Sequence, residues 1–211
     1  MQTRLEIINF LIKKNNYQSY LEIGVQYGHV IKNVTISYKV GVDPLLIDSW
    51  NKEILRHKFI THKLTSDEFF KVNKEKFDVI FIDGMHESQQ VYKDIINSLN
   101  ILNSNGTIIC HDMNPINYMA QVIPRQVKQW NGDCWKAWVK LKQERVDLSM
   151  FVIDTDMGVG VISAGSQEKL VINCEISYEQ LILNKKLWLN LITIDEFIKY
   201  LNDGEEAIRK N

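Results

Sequence analysis

Residues 20–29, YLEIGVQYGH, constrain the fold of this chain more than any other segment. An apolar strand ends at Glu22, and glycines at positions 24 and 28 flank the turn that follows it. Such a turn lets the backbone of an α/β fold approach a nucleotide-like cofactor. Gln26 stands where the dinucleotide-binding fingerprint has its middle glycine. The turn therefore favours a cofactor without a pyrophosphate, and S-adenosylmethionine is the leading candidate.

Length and composition indicate one sizeable domain. The chain has 211 residues, of which 45% are hydrophobic and 24% are charged. A formal net charge of −1 provides no field that would attract nucleic acid. No apolar run approaches the length of a membrane span, so no membrane insertion is expected. The three cysteines are widely spaced and form no motif, which predicts reduced thiols in a cytoplasmic protein.

Strands and helices alternate along the first half of the chain. Apolar residues at helical spacing predict helices over residues 4–14 and 87–102, and a short helix is expected after Gly28. A turn is expected at residues 105–106. The expected strands cover residues 19–23, 39–42, part of 54–64, 77–82 and 107–110. This alternation predicts a doubly wound, mostly parallel sheet with right-handed crossovers.

The pattern changes after residue 148. Two β-favouring runs, residues 149–154 and 158–163, are separated by a tight Asp-Met-Gly turn and predict an antiparallel hairpin. Residues 178–188 and 194–201 are expected to form covering helices. We predict a single domain over residues 1–211, with a lead-in helix (1–17), a core sheet (18–165) and a C-terminal helical extension (166–211).

Polar side chains follow four of the expected strands. In open α/β sheets, ligands bind outside the carboxyl ends of the strands, so these groups should share one rim. They are Glu22 with Gly24, Asp43, Asp83 with His86, and His111 with Asp112. Asp43 is suited to accept hydrogen bonds from ribose hydroxyls, although a turn or helix cap is the alternative.

Two aspartates and two histidines near the ends of two strands allow two kinds of chemistry. Carboxylates suit magnesium or manganese, and imidazole suits transition metals. The same residues could supply a base and an orienting acid without metal. Each could also simply cap a helix or satisfy strand-end backbone groups.

Several stretches resemble the class I S-adenosylmethionine-dependent methyltransferases, especially small bacterial methyltransferase-domain proteins. They span most of residues 20–163 and are LEIGVQYG, GVDP, TSDEFF, FDVIFIDGMHESQQVYKDI, GTIICHDMNP, WNGDCWKAW and FVIDTDMGVGVI. The DGxH and HD motifs also resemble metal-dependent sugar O-methyltransferases. The resemblance implies a Rossmann-like methyltransferase fold that binds S-adenosylmethionine.

The resemblance also implies roles for individual residues. His86 would be the catalytic base, and a divalent metal, magnesium or another, would be held by Asp83, His111 and Asp112. His111 stands where the sugar enzymes have an acid, so the chain departs from their pattern there. The cofactor-binding residues would be Glu22, Gly24, Gly28, Asp43, Ser66, Asp67 and Asp83, with Ser66 and Asp67 near the adenine.

The expected partner is a small-molecule acceptor, with a sugar or glycan precursor favoured by the resemblance, and the chain could form a homo-oligomer through its C-terminal helices. Residues 130–135 could form an acceptor wall, because aromatic faces stack on sugars. Alternatively, Trp135, Trp138 and Leu141 lie at helical spacing and belong to the core, with Asp133 as N-cap. Two other functions stay open: an iron-dependent oxygenase using His86, His111 and an aspartate, and a non-catalytic cofactor-binding subunit.

Overall fold

The computed structural model describes residues 1–45 and 59–203. Its eight strands belong to one sheet. They are β1 Ser19–Ile23, β2 Tyr38–Val42, β3 Ile60–His62, β4 Phe77–Ile82, β5 Leu102–Cys110, β6 Leu148–Ile153, β7 Val159–Ala164 and β8 Leu191–Ile192. The helices are α1 Arg4–Asn15, α2 Ser66–Val72, α3 Ser88–Ile101, α4 Tyr118–Gln121, α5 Cys134–Glu144, α6 Tyr178–Leu189 and α7 Ile194–Asp203. No helix in the described ranges is long and apolar enough to cross a membrane.

The strand order is β3-β2-β1-β4-β5-β7-β6-β8. All neighbours from β3 to β5 pair in parallel, whereas β7 runs antiparallel to both β5 and β6. The predicted doubly wound sheet with an antiparallel hairpin is therefore confirmed. The chain winds outward from β1 in one direction and from β4 in the other, so the β1–β4 boundary is the topological switch point at which such folds bind ligands.

Two hydrophobic clusters cover the two faces of the sheet. Leu21 and Ile23 of β1 point into a cluster with residues of α3, α5 and α6, whereas Tyr20 points into a cluster with residues of α1 and α7. Because successive side chains of a strand alternate between faces, strands buried on both faces are apolar almost throughout. The run FDVIFI of β4 shows this composition, with only Asp78 partly exposed.

The hairpin between β6 and β7 turns through two residues with positive φ. Asp156 has φ 45° and Met157 has φ 62°, and the Gly158 N–H donates to the Thr155 carbonyl oxygen at 2.7 Å. Positive φ at both central residues defines a type I′ turn, whose twist matches that of the flanking strands.

The structure corrects three sequence-based expectations. The helix expected after Gly28 is absent from the segment between this glycine and β2. Residues 26–33 form successive turns there instead. The expected turn at 105–106 lies inside β5, where pairing jumps from Leu102 opposite Phe77 to Thr107 opposite Val79. Gly106 permits this bulge, since a Cβ there would lie 2.7 Å from the Asp78 carbonyl oxygen.

The C-terminal extension also differs from its prediction. Both expected helices are present as α6 and α7, but between them β8 adds a short strand parallel to β6. The expected strand within 54–64 is β3, and residues 54–58 of that segment lie outside the described residues.

Candidate active site

The predicted strand-end residues meet at one rim because the sheet ladder continues past the strands. The Gly24 N–H donates to the Val42 carbonyl oxygen, and the Asp83 N–H donates to the Ile23 carbonyl oxygen, each at 2.9 Å. The His111 N–H donates to the Ile82 carbonyl oxygen at 3.0 Å. Parallel pairing thus places the residues that follow β1, β4 and β5 side by side at the switch point.

The glycine turn after β1 is shaped by its neighbours. Gly24 has φ 88°, and a Cβ added there would collide with the Asp83 carbonyl oxygen. Sequence reasoning required glycine here so that the cofactor could approach, whereas the structure shows that glycine lets the turn pack against the end of β4. Gly28 also has positive φ, 66°. Asp43 holds the turn, because its carboxylate accepts the Gln26 N–H at 2.8 Å.

Glu22 of β1 faces the protein interior. Its side chain is buried, on the same face as Tyr20, whose hydroxyl donates to the Glu22 carboxyl at 2.6 Å. Burial raises the pKa of Glu22 to about 8, against the opposing effect of the Tyr20 hydrogen bond. The Glu22 carboxyl therefore exposes almost no surface for the expected contact with the cofactor.

The SDEFF segment begins α2, and the N-cap of this helix is Thr65. The Thr65 hydroxyl accepts the Glu68 N–H, and the Glu68 carboxylate accepts the Thr65 N–H, which is a capping box. The Gln90 amide of α3 lies 3.1 Å from both the Ser66 hydroxyl and the Asp67 carboxylate. These contacts show that the side chains of Ser66 and Asp67 face α3.

Asp83, His86 and Asp112 form the group at the centre of the rim. One ligand atom from each lies within 4.8 Å of the others. His86 Nε2 is 3.6 Å from Asp83 Oδ1, and His86 Nδ1 is 3.3 Å from Asp112 Oδ2. The His86 ring therefore lies between the two carboxylates. Asp112 has φ 65°, a strained value for a residue other than glycine and one that often marks a functional site.

His111 lies beside this group and contacts the Asp112 carboxylate at 2.9 Å. On its other side it meets Arg4 and Asp156, two residues that sequence reasoning missed. The Arg4 N–H donates to the Asp156 carboxylate at 2.8 Å. Both histidines lie against the two carboxylates, since His111 Nδ1 is also 3.4 Å from Asp83 Oδ1. Asp83 and Asp112 can form a candidate metal centre with His86, and the predicted ligand His111 lies within reach of the same pair. No local signal identified Arg4 or Asp156, because both reach the rim only through packing of α1 against the hairpin.

The electrostatics of the rim follow from this arrangement. Burial would lower the pKa of His86, but the Asp83 and Asp112 carboxylates raise it. Burial would raise the pKa of Asp83, but His111, His86 and Arg4 lower it below its usual range. Burial would lower the pKa of His111, but the Asp83, Asp112 and Asp156 carboxylates raise it.

The sequence was also compared with known proteins. Residues 21–113 match the model of a family described as "Methyltransferase domain". This part of the chain is similar to a methyltransferase domain. The predicted resemblance to class I S-adenosylmethionine-dependent methyltransferases is thereby confirmed. No curated protein matches the chain.

Solved structures share the methyltransferase fold. A candidate caffeoyl-CoA O-methyltransferase from Staphylococcus aureus is 18% identical, with a TM-score of 0.62 over 76% of this chain and 82% of that one. A methyltransferase from Podospora anserina, solved with S-adenosylhomocysteine, is 17% identical, with a TM-score of 0.61 over 79% and 80% of the two chains. An O-methyltransferase from Streptomyces achromogenes, solved with S-adenosylmethionine, is 11% identical, with a TM-score of 0.61 over 77% and 80%.

The residues of the predicted acceptor wall fall into two groups in the structure. Trp135, Trp138 and Leu141 are fully buried in the core, as the alternative interpretation of their helical spacing required. Trp130 instead stacks on His86, with ring centroids 5.1 Å apart and an interplanar angle of 6°. Asp133 is the N-cap residue of α5, but its carboxylate accepts the Ser88 N–H at 2.7 Å rather than an α5 N–H.

Proposed function

We propose that this chain transfers a methyl group from S-adenosylmethionine to a hydroxyl of a small-molecule acceptor, with a sugar or glycan precursor as the acceptor class. The observation that carries the proposal is the group formed by Asp83, His86 and Asp112 beside the glycine turn at the switch point. A base and two carboxylates at the end of a cofactor-binding strand pair are what methyl transfer to a hydroxyl needs.

The relatives in structure support oxygen as the accepting atom. The proteins from Staphylococcus aureus, Streptomyces achromogenes and Bacillus cereus are described as O-methyltransferases, the first as a candidate. The last two were solved with S-adenosylmethionine and S-adenosylhomocysteine respectively. A hydroxyl differs from an amine in needing help to lose its proton at neutral pH, and the polar group at the rim suits that need.

The residues of the rim fit a divalent metal. His86 Nδ1 and Asp112 Oδ1 are buried and have no hydrogen-bond partner among the described residues, as expected of atoms that await another ligand. Asp83 and Asp112 would hold the cation, and carboxylate oxygens suit magnesium or manganese. When bound, such a cation would stabilise negative charge on the acceptor oxygen and offset the carboxylate charge that raises the pKa of His86.

His86 is the proposed base. It would take the proton from the acceptor hydroxyl as the oxygen attacks the methyl carbon and the carbon–sulfur bond breaks, leaving S-adenosylhomocysteine. Asp83 and Asp112, on either side of the ring, would orient it toward the acceptor. His111 contacts the cationic guanidinium of Arg4, which disfavours its use as the second histidine of the two-histidine, one-carboxylate iron site of an oxygenase.

The cofactor is proposed to lie across the switch point. Gly24 and Gly28 would admit the methionine part, Asp43 would accept hydrogen bonds from the ribose, and Ser66 and Asp67 would lie near the adenine. Glu22 would act indirectly, by supporting β1 beneath the turn. The single domain over residues 1–211, the cytoplasmic location and the homo-oligomer remain predictions.

A calorimetric titration with S-adenosylhomocysteine, with and without magnesium, tests the cofactor and the metal together. We expect binding in both cases, and tighter binding or a separate magnesium signal when the metal is present. A chain that binds no S-adenosylhomocysteine under either condition would contradict the proposal. A panel of sugars, phenols and amines with radiolabelled S-adenosylmethionine then identifies the acceptor class.

His86→Ala tests the base. General base catalysis contributes about 10² to 10⁴ in rate, so we expect turnover to fall by that amount while affinity for S-adenosylhomocysteine is retained. The matched control is His62→Ala, because the His62 ring packs against Phe69, 5.2 Å between centroids, and should leave turnover unchanged. Wild-type turnover in His86→Ala would remove His86 from the base role. If Mn²⁺ affinity also falls, His86 is a ligand instead.

A further inference from the structure

Trp130 is the largest side chain in contact with the candidate base. Its ring is nearly parallel to that of His86, with an interplanar angle of 6° and centroids 5.1 Å apart. The His86 side chain is 23% exposed; the two carboxylates lie at its nitrogen atoms, and the indole lies against a face of its ring. The stacked indole covers one face of the imidazole and leaves its two nitrogen atoms directed at Asp83 and Asp112.

The loop that carries Trp130 is closed by its own hydrogen bonds. The indole Nε1–H donates to the Val122 carbonyl oxygen at 2.7 Å, and the Asn131 N–H donates to the Ala120 carbonyl oxygen at 2.8 Å. The Arg125 guanidinium carbon lies 5.9 Å from the centroid of the Trp130 ring, within range of a cation–π contact. The indole is therefore held by backbone and side chain before any acceptor binds.

The same loop is attached to the segment that carries His86. Gly132 has φ 62°, and a Cβ there would collide with the His86 carbonyl oxygen, so glycine lets the two backbones touch. The adjoining Asp133 carboxylate accepts the Ser88 N–H at 2.7 Å and lies 3.1 Å from the Ser88 hydroxyl. Because Ser88 is two residues from His86, these contacts attach the loop to the segment that carries the base.

We propose that Trp130 is a positioning residue that holds the His86 ring in the plane needed for proton transfer. This inference rests on the proposed function, in which His86 acts as base. A free imidazole would rotate about its side-chain bonds, and most of those orientations would direct neither nitrogen at the acceptor. The stacked indole removes them. Misplacement of a reacting group by about 1 Å can cost about 100-fold in rate, so the orientation of the base matters as much as its presence.

Trp130→Leu and Trp130→Phe test this role together. The leucine removes the stacked ring, and we expect kcat to fall by about 10- to 100-fold with the KM for S-adenosylmethionine unchanged. The phenylalanine keeps an aromatic face and should restore kcat to within about threefold of the wild type. Tyr118→Leu is the matched control, because it removes an aromatic ring of α4, the helix before this loop, that contacts Tyr178 instead of His86.

A second readout requires no acceptor. Nuclear magnetic resonance of the five histidines resolves the ring protons of each, and the signals absent from His86→Ala identify His86. The stacked indole should shift the His86 ring protons upfield. We expect that shift to disappear in Trp130→Leu and to persist in Trp130→Phe and Tyr118→Leu. Calorimetric affinity for S-adenosylhomocysteine, equal in all four proteins, shows that the variants remain folded.

Three results would overturn the inference, and the first two concern Trp130→Leu. One is wild-type kcat in that variant, and another is an unchanged His86 spectrum. Failure of the proposed function has a different signature, since the wild-type chain would then bind no S-adenosylhomocysteine while the upfield shift of His86 persisted. Equal losses of kcat in Trp130→Leu and Trp130→Phe would also overturn the inference. The hydrogen bond from the indole to Val122, and not the stacked ring, would then account for the lost activity.

Discussion

At the scale of single residues, Glu22 shows how position in the fold changes the meaning of a motif. Its place at the end of β1 marks the glycine turn, but the sheet buries the carboxyl on the side of α1. The carboxyl is 2% exposed, and its pKa is raised to about 8 by burial. A carboxyl whose pKa is higher in the folded than in the unfolded state stabilises the fold most at low pH.

Glu22 therefore makes stability depend on pH. Its contribution is fully present below the unfolded pKa of 4.5 and is lost as pH rises through about 8. The free energy of unfolding should fall between pH 5 and pH 8, by at most about 1.4 kcal/mol per pH unit for one proton. In Glu22→Gln, which keeps the polar contact with Tyr20, the decline should be smaller. Urea unfolding at a series of pH values checks this, and identical slopes in the two proteins would refute it.

Gly24 is the second residue whose role the structure changed. With φ 88° and the end of β4 against it, any side chain is strained. Gly24→Ala should lower the free energy of unfolding by about 2 kcal/mol or more and abolish S-adenosylhomocysteine binding. Gly84→Ala is the control, because a Cβ there has its nearest neighbour at an ordinary 3.5 Å. Thermal unfolding measures the stability of both variants, and calorimetry measures their affinity for S-adenosylhomocysteine. Equal losses in the two variants would contradict a special role for the close contact at Gly24.

At the scale of elements, the hairpin between β6 and β7 contributes a side chain to the candidate active site. Its turn presents Asp156 to Arg4 and His111, so the tip of β6–β7 contributes to the rim although β7 is not a parallel strand. The turn contains Met157 with φ 62°. A side chain other than glycine, asparagine or aspartate is unfavourable in that conformation.

Met157→Gly should therefore stabilise the protein. Relief of the left-handed strain outweighs the added freedom of the unfolded chain, so we expect the free energy of unfolding to rise by about 1 kcal/mol. Val146→Gly is the control, since Val146 is 50% exposed and is not among the positive-φ residues of the described chain. It should leave stability unchanged or lower it. Urea unfolding measures both, and destabilisation by Met157→Gly would contradict the assigned turn type.

At the scale of the whole molecule, two clusters on opposite faces of the sheet bury the core. Cys110 and Cys134 belong to the cluster with α3 and α5, whereas Cys174 is exposed between the hairpin and α6. Burial raises the pKa of the Cys110 and Cys134 thiols, so neither supplies a reactive thiolate.

Thiol reactivity reports on this packing. In the native protein we expect one thiol per chain to react rapidly with an aromatic disulfide reagent, and all three to react after denaturation. Cys174→Ser should have no rapidly reacting thiol. Rapid reaction of a second thiol in the native wild type would show that the cluster around α5 opens more readily than its burial indicates.

The sheet was largely predictable because its signals are local. Continuous apolar runs gave β4 and the end of β5, an Asp-Met-Gly turn gave the hairpin, and helical spacing gave α3 and α6. The elements that were missed depend on contacts between distant segments. The bulge at Gly106 exists because β5 must pass close to Asp78, and β8 exists because β6 leaves an edge that two residues of the C-terminal extension can pair with.

The candidate site divides in the same way. Glycines, acids and histidines at strand ends identified the rim, since parallel strands present their carboxyl ends together. The sequence by itself thus determined the class of fold, the edge of the sheet at which the site lies and most of its titratable groups. Only the tertiary structure decided that both histidines lie against Asp83 and Asp112 and which carboxyl is buried. It also decided that Arg4, Trp130 and Asp156 reach the same place. The reason is physical: the position of each strand along the chain follows from local hydrophobic pattern, whereas the distance between two side chains depends on how separate elements pack.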